Sequence, residues 1–281
     1  MTTPATQAEM TEIEQTPRYA IQQWQKMEIN GTTLMRRMMA WKHWSIAVSE
    51  SAAAEMMATN VASRIMYNRD ENGVGRIFLY SDNAAYAIFC KEAEVKDDQL
   101  FLSTSGDWIF RMELDGISEI IIDAYTPTQI VYAEEHFERL HEMAKAVQVE
   151  EALTNLRFQP ETADEMIPLV RDYANYILPV HRVDGGMVLA MAPDSQGRDL
   201  AAVFTSTEAY DAFEPAWKEG CPDKDLLLFN LSGVELFAQL GKMNLDGIVF
   251  NCKGPVRPIA FASGIAQVIL DSVPQAEPVA V

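Results

Sequence analysis

The sequence predicts an α+β protein made of two tandem mixed α/β repeats, each a small sheet covered by helices. Two observations lead to this fold class. Short apolar runs alternate with segments of helical periodicity, and four sequence blocks recur in the same order at offsets of about 124 to 131 residues. The chain has 281 residues, of which 48% are hydrophobic and 22% are charged. This is the composition of a globular protein with room for about two domains.

The recurring blocks define copies near residues 30–140 and 160–272. Ala85–Phe89 matches Ala209–Phe213, Ser105–Phe110 matches Ser232–Phe237, Leu114–Ile117 matches Leu245–Ile248, and Ile130–Ala133 matches Ile259–Ala262. Because the blocks keep their order, we interpret the chain as a tandem duplication with loop insertions. We therefore predict a disordered tail (1–17), a first repeat with a long linking helix (18–150), a second repeat (160–273) and a second disordered tail (274–281).

The first half of each copy predicts a helix, a strand and a hairpin. Helical periodicity is found at Leu34–Trp41 and Met166–Ala174, and short apolar runs typical of strands follow at Trp44–Val48 and Tyr176–Val180. Asn-Gly and similar turns supply the positive φ angles that hairpins need. The predicted hairpins are Arg64–Tyr67 with Arg76–Tyr80 around Asn72-Gly73, and Met187–Met191 with Leu200–Phe204 around Asp194–Gly197.

The second half of each copy predicts helices introduced by capping residues. Thr205 with Glu208 matches a capping box, and Ser81 takes the equivalent cap position in the first copy. A second box is expected at Ser232 and Glu235. The remaining predictions are a buried helical stripe (Ala209, Tyr210, Phe213, Trp217), buried strands (Leu100–Leu102, Leu226–Phe229), helix ends at Gly116 and Gly247, and last helices at 133–155 and 263–270.

Two segments of the second copy resemble a known family. Asp199–Ala209 is similar to the Phe-Thr-Ser helix entry of the SseB N-terminal-domain family, named from enhanced serine sensitivity. Leu245–Asn251, followed by Gly254-Pro255, is similar to the end of that domain. The resemblance covers 175–262 and extends more faintly over 44–133, where Tyr80-Ser81-Asp82 replaces Phe-Thr-Ser and Asp123 stands near the Asn position. It implies a small mixed α/β fold and brings no catalytic residue.

Charge and cysteine content limit the environment and the partners. The 22 basic and 41 acidic residues give a net charge of −19, which argues against binding to nucleic acid or to anionic lipid. The three cysteines, Cys90, Cys221 and Cys252, are scattered and match neither a disulfide framework nor a metal motif. With no secretory signal or membrane-spanning run recognised, we expect a cytoplasmic protein.

Several motifs partly match known site patterns, and none of them predicts a site. Glu138 and His141 form Glu-x-x-His, but a carboxylate metal site needs a second such pair. Gly73-Val74-Gly75 lacks the third glycine of a dinucleotide loop, and Gly241-Lys242 lacks the earlier glycine of a phosphate loop. Ser263 lacks the flanking glycine of a nucleophile elbow. We predict no catalytic, cofactor-binding or metal-binding residue, and no cofactor.

Three further features of the sequence each allow two interpretations. Cys252 beside Lys253 is either a reactive thiol or, as we favour, a packed one. The acidic run (Glu92, Glu94, Asp97, Asp98) is either a calcium loop or a solvated segment, and the missing EF-hand spacing favours the latter. The methionine cluster (Met35, Met38, Met39, Met56, Met57) is either an adaptable contact surface or core, and core is favoured.

The sequence leaves two functions open. The first is a non-enzymatic cytoplasmic protein-interaction or regulatory adaptor module, because we find no catalytic group while the fold is repeated and the net charge would attract basic protein partners. The alternative is a small-molecule sensor or an unrecognised hydrolase that uses a groove between the repeats. The partner-binding residues are not defined by the sequence.

Overall fold

The fold is α+β, as predicted. In a computed structural model, residues 16–48, 68–69, 74–93, 100–111, 116–253 and 256–272 are described. The chain divides into two compact units, Met1–Val147 and Gln148–Val281, and each unit is described by itself. The division falls within the longest helix of the described chain, Phe137–Phe158.

The first unit combines helices with one mixed sheet. Its helices are α1 (Pro17–Gln25), α2 (Gly31–Ala40), α3 (Asn83–Glu92), α4 (Gly106–Ile109) and the start of α5 (Phe137–Phe158). Its strands are β1 (Trp44–Val48), β2 (Asn68–Arg69), β3 (Gly75–Tyr80), β4 (Leu100–Thr104), β5 (Glu119–Ile122) and β6 (Ile130–Ala133). The strand order is β4-β1-β3-β5-β6, with β2 paired to β3. All pairs are antiparallel except β3 with β5.

The core of the first unit lies between this sheet and the helices that precede and follow it. Met35, Met38 and Met39 are buried on α2 within this core, so these three methionines belong to the core and not to a contact surface. The indole Nε1 of Trp44 donates to the carbonyl oxygen of Met38 at 2.9 Å, which ties β1 to the helix before it. Met56 and Met57 lie outside the described residues.

The second unit begins within α5 and contains more strands. Its helices are α6 (Ala163–Arg171), α7 (Thr207–Gly220), α8 (Gly233–Leu240) and α9 (Ile265–Asp271). Its strands are β7 (Tyr176–Val183), β8 (Gly186–Leu189), β9 (Met191–Pro193), β10 (Asp199–Val203), β11 (Leu226–Leu231), β12 (Gly247–Phe250) and β13 (Ile259–Ala262). They form a three-stranded sheet, β11-β7-β8, and a four-stranded sheet, β13-β12-β10-β9.

The two units have the same order of strands. An isolated antiparallel bridge between Ile177 and Phe204 joins β7 to the end of β10. Followed through this bridge, the order in the second unit is β11-β7-β10-β12-β13, and β10 with β12 is the parallel pair. The first unit has the order β4-β1-β3-β5-β6 with the same directions. The fold is therefore two α+β repeats, each with a sheet packed by helices.

Strand register shows which residues are equivalent in the two repeats. Leu79 pairs with Ile122, and Val203 pairs with Phe250, at the ends of the parallel strands. The Tyr176 hydroxyl donates to the carbonyl oxygen of Val170 at 2.9 Å, in the same way that Trp44 binds to α2. Gly106 and Gly233 begin equivalent helices, and their backbone N–H groups donate to Trp41 and Tyr173 respectively, at 2.7 Å in both cases.

The register also corrects one of the sequence matches. Gly247 begins β12 opposite Ala262, whereas Glu119 begins β5 opposite Ala133. Gly247 is thus equivalent to Glu119, and Gly116 lies three residues earlier, in a turn with φ +76°. The Leu-Asp-Gly-Ile blocks are not equivalent in the fold, and the predicted helix end at Gly247 is wrong because this glycine is the first residue of a buried strand. Leu114 and Asp115 lie outside the described residues.

Other local predictions are confirmed or adjusted. The turn Asp194–Gly197 connects β9 to β10, but the predicted strand Met187–Met191 is interrupted at Ala190. Ala190 interrupts it by donating its N–H to Pro179 while its carbonyl accepts from Ala202. Thr16 caps α1 at Pro17. The predictions that fall on Arg64–Tyr67, Asn72-Gly73 and residues 274–281 lie outside the described residues.

Candidate binding sites of the second unit

A buried polar side chain follows the central parallel strands of each repeat. Asn251, directly after β12, has φ +54°, and Asp123, directly after β5, has φ +49°. Asn251 Oδ1 accepts the N–H of Thr205 at 3.0 Å, and Asp123 Oδ1 accepts the N–H of Ser81 at 2.8 Å. Asn and Asp tolerate this left-handed backbone better than most residues. Each side chain therefore closes the end of its parallel strand pair.

In the second unit this arrangement includes a buried glutamate. Thr205 Oγ1 donates to Glu150 on α5. Asn251 Nδ2 also donates to Glu150, at 3.4 Å, and donates to Thr205 Oγ1 at 3.0 Å. Glu150 is 7% exposed. The three side chains link the long helix to the ends of two strands, and a buried carboxylate needs such donors to offset its desolvation.

These contacts correct the capping prediction. Thr205 is not the cap of α7, because the side chain of Ser206 accepts the N–H of Ala209. In the first unit Asp82, not Ser81, caps α3. Both predictions are wrong by one residue because Thr205 and Ser81 face inward and bind Asn251 and Asp123. The capping box of Ser232 and Glu235 is confirmed, and the Ser232 hydrogen bonds lower the pKa of Glu235.

Burial has an electrostatic consequence at Asp123. Desolvation raises the pKa of the Asp123 carboxyl, although hydrogen bonds from the Ser81 N–H and hydroxyl act in the opposite direction. The hydroxyl contact, from Ser81 Oγ to Asp123 Oδ2, measures 2.7 Å. The second unit has an uncharged amide at the equivalent position. The residue that follows the second parallel strand is therefore ionisable in the first repeat, whereas the ionisable group of the second cluster is Glu150 on α5.

A groove of about 650 Å³ lies between α7 and the four-stranded sheet of the second unit. Its floor includes Leu200, Val249 and Ala260 on adjacent strands, and its wall is formed by Phe213 and Trp217 of α7. The other lining residues come from the ends of these elements: Met191, Ala192, Pro193, Asp194, Ala216, Glu219, Gly220, Cys221, Cys252, Lys253 and Pro258. The groove is thus mainly apolar, with two thiols and three charged residues in its lining.

The polar side chains that line the groove place no unpaired charge in its interior. Burial raises the pKa of the Cys252 thiol to about 11, and the nearby Lys253 lowers it only partly. Cys252 is therefore a neutral packed thiol at pH 7, as favoured from the sequence, and thiolate chemistry is disfavoured there. Asp194 is already occupied by the backbone N–H groups of Gln196 and Arg198 and by the Arg198 side chain. Glu219 and Lys253 are exposed and opposite in sign.

Strand β11 is an exposed apolar edge. Leu226–Phe229 forms the predicted strand, but the prediction that it is buried is wrong, because Leu227, Leu228 and Phe229 are 38%, 44% and 40% exposed. Among the described residues, β11 pairs with β7 alone. On the other side of β7, Met187 and Val188 of β8 are also exposed. The three-stranded sheet therefore presents apolar side chains on both of its outer strands.

The backbone of β11 has hydrogen-bonding groups that point away from the sheet. Ile177, opposite Asn230, uses its N–H and carbonyl on Phe204. Pro179, opposite Leu228, accepts from Ala190 with its carbonyl. Because neighbouring residues of an antiparallel ladder alternate in direction, Leu228 and Asn230 direct their N–H and carbonyl groups outward. This is the geometry that another extended chain needs to join a sheet.

The motifs rejected as sites occupy structural positions. Glu138 is exposed on α5, and burial is the main factor that lowers the pKa of its neighbour His141. Gly241 ends α8, and Ser263 is in the turn before α9. Glu92 is near Lys91 at the end of α3, whereas Glu94, Asp97, Asp98 and Gly73 are outside the described residues. Within the described part of the chain, no three His, Cys, Asp or Glu side chains cluster as a metal site would require.

Comparisons with known proteins leave the family open. No protein-family model and no curated protein matches the chain. A solved structure, Anabaena Tic22 (protein transport), is similar at 10% sequence identity over 77% of this chain and 88% of that chain, with a TM-score of 0.20. So low a score carries no argument about fold or function. The resemblance to the SseB family stays a prediction. In the described residues, no helix has the length and apolar content of a membrane span.

Sequence reasoning missed both the groove and the edge. The groove is lined by small side chains, Ala192, Ala216 and Ala260, whose role appears only when four strands and a helix are assembled. The apolar run of β11 was recognised, but the same composition is typical of a buried strand. One available signal was the flanking sequence Asp223-Lys224-Asp225, since charged residues next to an apolar strand are common at sheet edges.

Proposed function

We propose that the chain is a non-enzymatic protein-interaction module and that β11 binds an extended apolar segment of a partner protein. The observation that carries this proposal is the outward-facing backbone of Leu228 and Asn230 together with exposed Leu227 and Phe229. Main-chain hydrogen bonds supply affinity when a peptide adds to a sheet edge, and alternate side chains supply selectivity. Two repeats of an SseB-like domain would fit such a role.

Charge supports a partner segment with basic flanks. Asp223 and Asp225 precede β11, and Glu235 follows it one helical turn into α8. The whole chain carries a net charge of −19. This charge would attract basic segments of a partner and repel nucleic acid. All three cysteines are free, which agrees with a reducing compartment such as the cytoplasm.

The test uses a defined peptide. A fluorescein-labelled Lys-Lys-Leu-Val-Leu-Val-Leu-Lys-Lys should bind saturably to the full chain, as measured by fluorescence anisotropy. Leu228→Pro removes an outward N–H without touching the ladder to β7, and prolines are tolerated at such positions. We expect this variant to weaken binding by at least about tenfold, because an added strand would lose a main-chain bond and meet the ring.

Two controls separate loss of pairing from loss of folding. Leu228→Ala retains the N–H and trims the side chain, so it should weaken binding less than the proline variant. A peptide with N-methyl groups on alternate apolar residues tests pairing on the wild-type chain, and it should not bind. Equal binding of the methylated and unmethylated peptides, or no saturable binding to wild type, would refute the proposal.

A further inference from the structure

The two repeats differ where the second has its groove. Strand register makes Ala202 equivalent to Phe78, because each lies one residue before the end of the parallel strand pair. The same register makes Val249 equivalent to Ile121 and Ala260 equivalent to Val131. All three pairs face the helix that follows the first parallel strand. In two of the three pairs, the second repeat has the much smaller side chain.

In the first repeat, a large ring occupies the position that is equivalent to Ala202. The ring of Phe78 packs against that of Phe89, with centroids 5.1 Å apart. Phe213 is equivalent to Phe89, since both are seven residues after the cap of their helix, but Ala202 supplies no ring beneath it. Trp217 stands where the first repeat has Ala93 and forms a wall of the groove. The Phe78 ring that packs against Phe89 in the first repeat thus has no counterpart beneath Phe213, and Ala260 lines the groove where the first repeat has Val131.

We propose that this groove is a binding site for a neutral apolar small molecule, which goes beyond the interaction proposed for β11. A volume of about 650 Å³ lies within the roughly 300–1,000 Å³ of small-molecule sites. The interior offers rings and aliphatic groups together with a neutral thiol, while Asp194 is already neutralised by Arg198. Glu219 and Lys253 balance each other in charge, so the lining does not select an anion or a cation.

The probe for this test is N-phenyl-1-naphthylamine, an uncharged apolar dye whose fluorescence rises on leaving water. We expect saturable binding to the full chain with one dye per chain. With methyl-labelled methionine, the NMR signal of Met191 should shift on titration because its side chain lines the groove. Met187 provides the reference, since it is 62% exposed and is not part of the groove lining. A shift of Met187 without Met191 would place the dye on the outer sheet and refute the proposal.

Variants at Ala260 provide a graded test. Ala260→Val installs the residue of the first repeat, and Ala260→Phe fills the groove further. We expect dye affinity to fall slightly for the first and by at least about tenfold for the second, because the added atoms occupy the volume that the ligand needs. Ala262→Val is the matched control, since it places the same change two residues along β13 outside the lining. Unchanged affinity in folded Ala260→Phe, or non-saturable binding to wild type, would overturn the inference.

Discussion

At the scale of single residues, the residue before each capping residue faces inward and connects two elements. Thr205 donates to Glu150 and receives a hydrogen bond from Asn251 Nδ2, whereas Ser81 donates to Asp123. The hydroxyl and the backbone N–H of one residue thus form hydrogen bonds at the end of a neighbouring strand, and the next residue caps the helix. Strand ends and helix starts are therefore fixed by adjacent positions in the sequence.

Thr205→Val should destabilise the protein by about 1–3 kcal/mol, because the buried Glu150 carboxylate loses a hydroxyl donor at unchanged side-chain shape. The measurement is urea unfolding of the full chain. Thr205→Ser retains the donor and should be much closer to wild type. Ser206→Ala removes only the helix cap and should cost about 1 kcal/mol. Wild-type stability of Thr205→Val would show that the contact with Glu150 contributes nothing.

Asp123→Asn should make the first unit more stable at pH 7. Burial raises the pKa of Asp123 in the folded state, so the wild type loses stability as the pH rises from the unfolded value, about 3.9, through this raised pKa. An amide keeps both contacts to Ser81, as Asn251 does with Thr205. The gain, followed by urea unfolding against pH, should disappear below about pH 3.9.

A control with the opposite sign is available at Asp172. The hydrogen bonds of the Arg171 side chain lower the pKa of Asp172, so its contribution to stability is present above the unfolded pKa and lost as the pH falls. Asp172→Asn should therefore destabilise the protein slightly at pH 7. A rise in stability for both variants would indicate a general effect of reduced negative charge instead of burial at Asp123.

At the scale of elements, two glycines let the first turns of α4 and α8 approach the backbone of α2 and α6 respectively. A Cβ on Gly106 would overlap the carbonyl oxygen of Met38, and a Cβ on Gly233 would overlap that of Arg171. Because these neighbours are backbone atoms, side-chain rotation cannot relieve the contact. Both glycines are in the Ser-Gly blocks that the sequence matched at an offset of 127. The repeated glycine thus reflects close packing in both units.

Gly233→Ala should cost about 1–3 kcal/mol of stability through this overlap. The comparison is Gly220→Ala at the end of α7, where an added Cβ meets no atom within 4 Å. That change should be neutral or stabilising by up to about 1 kcal/mol, since Ala is the better helix former. Thermal unfolding of both variants provides the measurement. A smaller loss for Gly233→Ala than for Gly220→Ala would contradict the packing argument.

The elements themselves were largely predictable, and so was the buried stripe of α7, but the exposure of β11 was not. Periodicity located α2, β1, β7 and β11, because spacing along the chain is a local property. Whether an apolar strand is central or at an edge depends on distant segments, and β11 was placed wrongly for this reason. The capping residues were missed by one position because Ser, Thr and Asp at adjacent positions are all good caps, and only the tertiary partners decide which one turns inward.

At the scale of the whole molecule, the two copies of the fold were predictable from the sequence, but the groove in the second copy was not. Matching blocks indicated two copies, and the shared strand order agrees with them. Ala260 lines the groove where the first repeat has Val131. Strand register is needed to find such equivalent positions, because one of the block matches was erroneous. Sequence similarity alone placed Gly116 opposite Gly247, three residues from the equivalence in the fold.

The net charge of −19 should distinguish the two proposed sites by their response to salt. Raising the salt concentration from about 0.05 M to about 0.5 M should markedly weaken the binding of the lysine-flanked peptide, because the Debye length shortens to a few ångströms. Binding of the neutral dye should not weaken, since no charge is paired on binding. Fluorescence titrations at several salt concentrations measure both. Equal salt dependence of the two ligands would indicate a shared, non-specific site.

The shared strand order also has a consequence for synthesis on the ribosome. The first repeat emerges before the second, so equivalent strands of two similar sheets are available to exchange during folding. Such an exchange would be unfavourable for the first unit, because Ala202 in place of Phe78 would leave the ring of Phe89 without that packing partner. We therefore expect divergence between the copies to disfavour assembly of the wrong halves in the nascent chain.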